Sequence, residues 1–234
     1  MRTWIDKQRH ILDFTLSSLG RRAGKNTALL LVYTALVFVL ASLMFLTHAL
    51  KREAALTLAE APGMVVQRMV AGRHELAPSA YLAKVRDIRG VSGVRGRLWG
   101  YYFDPVVAAN YTLLVPGTFP HPEGTIVIGE GISRARGAYS GDIFPFRAYD
   151  GEPVALTIAA VLPQASELVS SDLLLIGEKD FRRLFNMPQG TFTDIVLDVP
   201  NVREIDTVAS KIVRTLPDAR PISRREILRT YDAV

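Results

Sequence analysis

The side chains able to do chemistry are few and far apart. The chain has no cysteine, which excludes thiol nucleophiles, thiolate metal sites and disulfides. Its four histidines, His10, His48, His74 and His121, are scattered, and no H-E-x-x-H pattern sets two zinc ligands and a base on one helix face. There is no G-x-x-x-x-G-K-S/T loop to cradle ATP phosphates and no G-x-S-x-G nucleophile elbow. Gly129-Glu130-Gly131 lacks the third glycine of a dinucleotide loop and reads as a strand-to-helix turn. Asp142, Asp150 and Glu152 lie close in sequence, as cation ligands do, but acids of hairpins and turns are ordinarily solvated. Asp104 follows the aromatic run Trp99, Tyr101, Tyr102 and Phe103 and reads as a turn acid beside a core aromatic patch, with a binding face as the other reading. No nucleophile, base and electrophile converge. The expectation is a chain that is not an enzyme, with no catalytic residue, no metal ligand and no cofactor of its own.

The elements point elsewhere. Thr27–Leu50 holds no Asp, Glu, Lys or Arg. It exceeds the roughly 18 apolar residues that mark a transmembrane helix, and a helix apolar on every face has no side suited to water. Residues 1–26 carry six basic and two acidic side chains, Lys51 and Arg52 follow the span, and residues 53–234 carry 20 basic and 21 acidic residues. The overall charge of +5 therefore belongs to the membrane flanks. The large domain lacks the basic face of a nucleic-acid binder, so no nucleic-acid partner is expected. The basic excess before the span places the N-terminus in the cytoplasm and the main domain outside it. The span is too long for a signal-peptide core of about 7–15 residues and reads as an uncleaved anchor.

Before the span, Ile5, Ile11, Leu12, Phe14, Leu16 and Leu19 recur at helical spacing, as in an amphipathic helix lying on a membrane surface. Gly20 to Asn26 is a basic joint. Within the span, Ala28, Ala35, Ser42 and Ala49 repeat every seven residues, a small-residue face on which another membrane helix packs closely. The organisation expected is an amphipathic helix and joint over 1–26, a span over 27–50, a helical stalk over 51–62, an extracytoplasmic α+β domain over 63–222, and the start of a return helix over 223–234. In the domain, helices are predicted over 80–89, 130–136, 178–185 and 201–216, the last with Val202, Ile205, Val208, Ile212 and Val213 on its apolar side. Strands are predicted over 64–70, 91–102, 110–115, 125–128, 143–148, 154–162, 173–176, an alternating 192–199, and 219–222. Asp150-Gly151 marks a hairpin, and Ser223 to Glu226 has the form of a capping box. The layout expected is two small α+β layers with a β-rich insert between them.

Three stretches together resemble the FtsX/MacB-like family of ABC transporter permeases, which includes the lipoprotein-releasing permeases. They are the amphipathic Ile11-Leu12-Asp13-Phe14-Thr15-Leu16-Ser17-Ser18-Leu19 leading through Arg21 to Asn26 into a span, the run Gly124 to Ser133 followed by Gly141-Asp142 and a hairpin, and the order of span, α+β domain and returning helix. Family members continue into three more spans, so the resemblance implies a fragment or a naturally short subunit. It implies a MacB-like periplasmic domain and a mechanical role. A separate cytoplasmic ABC ATPase binds ATP, Leu12, Phe14, Leu16 and Arg21 take up its movement, and the span and stalk pass it to the outer domain. The partners implied are that ATPase, other permease segments or a second permease copy, membrane lipids, and a periplasmic or lipoprotein partner. The cargo classes implied are lipoprotein, peptide or hydrophobic molecules. A single-span receptor or scaffold binding a ligand or protein outside the membrane is the alternative that shares this topology.

Overall fold

The computed structural model describes residues 17, 21–59, 62–117, 122–162 and 171–227. Two units are distinguished, residues 1–52 and 53–234.

Helix α1 runs without a break over Ala23–Ala59, about 55 Å at ~1.5 Å per residue. Ala23–Ala49 is long and apolar enough to cross a membrane, and none of it is buried against the protein. Large side chains point outward on all sides, among them Leu30, Phe38, Met44 and Phe45. Such a helix needs lipid or other helices around it. Thr47, the polar residue near its end, returns its hydroxyl to Leu43 O at 2.8 Å, which keeps the group satisfied without water. The first turn of α1 holds no acid, and Arg21, Arg22 and Lys25 stand there against the helix dipole.

The second unit is an α+β domain of two lobes. The proximal lobe is built from both ends of the domain. Its sheet runs β13 (Ala219–Ser223), β1 (Met64–Val70), β12 (Asp194–Asp198), β4 (Ser92–Arg97), with β2 (Arg73–Glu75) also paired to β1. Helices α2 (Ala80–Arg86) and α5 (Ile205–Thr215) supply one side of its core. Val85, Val208 and Ile212 are buried there with Met64, Val66, Ile195 and Leu197. The distal lobe comes from the middle of the chain. Its mixed sheet runs β5 (Trp99–Asp104), β6 (Ala109–Leu114), β10 (Leu173–Ile176), β7 (Thr125–Gly129), β9 (Pro153–Leu162), β8 (Ile143–Arg147). Helices α3 (Glu130–Arg136) and α4 (Glu178–Phe185) belong to it, with Ile132, Phe181 and Leu184 in its core. A two-stranded ribbon, β3 (Ala77–Pro78) with β11 (Thr191–Phe192), joins the set.

Several expectations change. The two ends of the domain do not form two layers. They share one sheet, and the insert is itself a complete α+β lobe. The stretch 91–102 is not one strand: it divides at the buried Leu98 into β4 and β5, which belong to different sheets. Strand β12 does not alternate, since Asp194, Ile195, Val196 and Leu197 are all buried. It is an inner strand with both faces covered, so the period-2 signal is lost. Val202 is 66% and Val213 43% exposed. Asn201 caps a 3-10 turn, Val202–Glu204, ahead of α5, and that tighter winding puts Val202 out of step with the α-helical face. The Asp150-Gly151 hairpin joins β8 to β9, with Gly151 at φ +86°. Ser223 caps residues 224–227, its hydroxyl accepting the Glu226 N–H at 3.1 Å.

Gly129-Glu130-Gly131 makes the strand-to-helix turn between β7 and α3. A Cβ on Gly131 would lie 2.5 Å from the Ser171 carbonyl oxygen, a backbone atom that cannot rotate aside. Gly131→Ala is expected to destabilise the chain by about 1–3 kcal/mol. Urea unfolding in detergent, followed by tryptophan fluorescence, measures it, and an unchanged midpoint would show that the contact is relieved.

Candidate functional site

No group of three His, Cys, Asp or Glu side chains converges on a metal-sized space among the described residues. The acids singled out in the sequence serve local structure. Asp142 accepts the Tyr139 N–H at 2.8 Å, and Asp150 accepts the Glu152 N–H at 3.0 Å. Asp104 is 2% exposed. It takes Arg136 at 3.0 Å, the Tyr111 hydroxyl at 3.0 Å and the Val106 N–H at 2.9 Å. Burial and this neighbouring carboxylate push the Tyr111 hydroxyl well above its ordinary pKa. Asp104 is therefore a buried anchor for the turn after β5. The aromatic run divides: Tyr102 turns inward against Phe146 at 5.0 Å, while Tyr101 and Phe103 are exposed. Of the histidines, His74 contacts Thr193 O at 2.9 Å, and His48 lies on α1.

Leu12, Phe14 and Leu16 lie outside the described residues. Arg21 is exposed just before α1. Ala28, Ala35, Ser42 and Ala49 are exposed on α1. A seven-residue repeat drifts about 20° per heptad on a straight helix, so the four make one slowly turning stripe.

Two constructions tie the parts of the domain together. The first is the neck. Strands β1 and β13 run antiparallel with Met64 opposite Ser223. The Arg224 N–H reaches Gly63 O at 3.2 Å, and the Gly63 N–H reaches Asp198 Oδ1 at 3.0 Å. The chain thus enters the domain at Gly63 and leaves at Arg224 side by side.

The second is the junction between lobes. Asp194 is fully buried. It receives Arg97 Nε at 2.9 Å and Nη2 at 2.6 Å, together with Trp99 Nε1 at 2.8 Å. Beside it the Thr193 hydroxyl accepts the Trp99 N–H at 3.1 Å and donates to Trp99 O at 2.8 Å. Phe192 lies over Gly96, where a Cβ would come within 2.2 Å of its ring. The two crossings between lobes, 97–99 and 192–194, are therefore locked to each other. Sequence reading missed this set. Its signal was Asp194 itself, an acid leading an apolar strand, which burial forces to find partners.

The junction and neck yield two expectations. Asp194→Ala leaves Arg97 without its carboxylate and should cost about 3 kcal/mol, read as a lowered thermal midpoint in detergent. A loss below about 0.5 kcal/mol would place the pair among surface contacts. Asp218 is held below the usual carboxylate range by its hydrogen bond from Arg68, then by that from Tyr81, against the opposing effect of burial. A depressed carboxylate stabilises the fold above its unfolded pKa of about 3.9, and that contribution disappears as pH falls through the folded value. Asp218→Asn should therefore be less stable than wild type at pH 7, with the gap closing below about pH 4. Stability measured from about pH 2.5 to about pH 7, a range that spans that pKa, tests this. A constant gap would remove the carboxylate from the account.

No protein-family model matches the chain, and no curated protein does. Among solved structures, the chain is similar to the extracellular domain of the ABC-type transporter YknZ from Gram-positive bacteria. That likeness has 9% identity and a TM-score of 0.45, and covers 68% of this chain and 99% of that one. The chain is likewise similar to the periplasmic region of MacB from Actinobacillus actinomycetemcomitans, with 10% identity, a TM-score of 0.46, and 76% and 99% of the two chains covered. At this identity the likeness to these two extracytoplasmic domains is one of fold alone.

Proposed function

We infer that the chain is the membrane permease subunit of an ABC transporter, or a portion of one, and that it works by transmitting force. The observation that carries this reading is the neck. A domain whose entry and exit are hydrogen-bonded neighbours is built to be inserted between two helices that run side by side. One is α1, an apolar helix continued without a break to Ala59. The other begins at the capped turn over residues 224–227. A receptor anchored by a single span has no need for a paired exit.

In this reading ATP is bound by a separate cytoplasmic ATPase, and this chain holds no cofactor. Movement of that ATPase enters through the amphipathic segment, by Leu12, Phe14, Leu16 and Arg21. It passes along α1, whose unbroken backbone hydrogen bonds make it a stiff rod. At the neck a shift of one helix against the other slides β1 against β13. Because the lobe junction is locked at Asp194, the distal lobe follows the proximal one. The domain would lie outside the cytoplasm and handle a lipoprotein, peptide or hydrophobic cargo. Ala28, Ala35, Ser42 and Ala49 would seat a neighbouring membrane helix.

Affinity capture of the tagged chain from native membranes should recover an ABC ATPase. Capture that recovers none would count against the permease reading and for a receptor. Ala35→Leu with Ser42→Leu should leave membrane insertion intact and reduce the complex recovered by about tenfold, the effect of roughly 1.4 kcal/mol at a close helix contact. Undiminished recovery would make α1 a plain anchor.

A further inference from the structure

The two main sheets of the domain end on the edge strands β4, β13, β5 and β8. Three carry features that discourage pairing with another chain. Strand β4 has Arg95 and Arg97, and β13 has Arg220 and Pro221. Strand β8 has Pro145, which lacks an N–H, and Arg147, whose N–H is taken by the Tyr102 hydroxyl at 2.9 Å. Strand β5 has no such guard. It reads Trp-Gly-Tyr-Tyr-Phe before Asp104, whose side chain is buried.

The direction of its backbone groups follows from its neighbours. The Thr112 N–H goes to Asp172 O at 2.8 Å, away from β5, and the Val115 N–H goes to Leu98 O at 2.9 Å. Along an antiparallel strand the groups alternate sides. Gly100, Tyr102 and Asp104 therefore face β6, and Trp99, Tyr101 and Phe103 face outward. The Thr193 hydroxyl fills the outward rung of Trp99. The outward groups of Tyr101 and Phe103 meet no partner among the described residues, and these residues are 66% and 57% exposed.

We propose that this two-residue window docks the same window of a second copy of the chain, antiparallel, about a two-fold axis at Tyr102. The window is closed at one end by Thr193 and at the other by the turn after Asp104, so a long foreign strand would collide with Thr193. A two-fold match does not. Tyr101 of one copy then lies opposite Phe103 of the other, and each pair exchanges two hydrogen bonds, about four in all. The side chains that meet are aromatic and uncharged, which favours like against like. Anchoring both copies in one membrane raises their effective concentration, so a small contact suffices. The pairing does not rest on the permease reading.

The absence of cysteine makes the test clean, since introduced thiols are the only ones present. The full chain carrying Tyr101→Cys and Phe103→Cys, reconstituted in lipid bilayers and oxidised, should form disulfide-linked dimers with 101 joined to 103. The expected rate is about 100-fold above that of Ile143→Cys, an equally exposed position on β8 (68%). Tyr101→Lys with Phe103→Lys should keep the native circular dichroism and lose chemical cross-linking between copies. Equal disulfide rates overturn the proposal. So does a wild-type chain that stays monomeric in the bilayer, or one whose β5 edge is taken by a different polypeptide.

Discussion

The contact on which the rest of the domain depends is the buried carboxylate of Asp194 with Arg97 and Trp99. A fully buried charge is tolerated only where it is paired and hydrogen-bonded. Arg97 closes strand β4 and Trp99 opens β5, so meeting that demand fixes where the chain leaves one sheet and enters the other. Leu98 between them is buried in the distal core. On the return crossing, Phe192 takes the space over Gly96 and Thr193 clasps the Trp99 backbone. The acid fixes the register of β4 on β12 and the break at Leu98, and its neighbour Thr193 closes one rung of the β5 edge.

This junction decides what kind of mechanical object the domain is. Two lobes joined by short crossings would hinge if those crossings were free. Here each crossing is held by the other, through charge-assisted bonds of 2.6–2.9 Å that are stronger than neutral ones. The neck is held by the main-chain pairing of β1 with β13. There the Gly63 N–H donates to the Asp198 carboxylate, and β1 and β13 are the strands next to the chain's entry and exit. A relative shift of the connections acts on a strand pair, whose hydrogen bonds are individually modest. In the proposed permease role, force would reach two lobes held together at Asp194 through this strand pair.

The second lobe shows how an open sheet manages its edges. Tyr102 spans from β5 toward β8, stacking edge-on to Phe146 and accepting the Arg147 N–H. These contacts bridge the two edge strands of the sheet. The same strand sends Tyr101 and Phe103 to solvent. Alternation along the strand sends residues 101 and 103 to the face opposite Tyr102.

Much of this was legible in the chain alone. The long apolar helix was plain because a 24-residue run without charge is long and apolar enough to cross a bilayer, for which about 20 residues suffice. Helices α3 and α4 were plain from local signals, with a glycine entering each and a left-handed residue, Gly137 or Asn186, ending it. The hairpin at Asp150-Gly151 was plain because left-handed backbone favours glycine. These are determined by interactions within a few residues. What only the tertiary structure decided were the features set by contacts far apart in sequence. Whether 91–102 is one strand or two depends on Asp194, 97 positions from Arg97. Whether 192–199 alternates depends on what covers its second face, and whether the two ends form one layer or two depends on β13 finding β1. Local propensity can name an element, but the sheet it joins is settled by which distant partner satisfies its backbone and its buried charge.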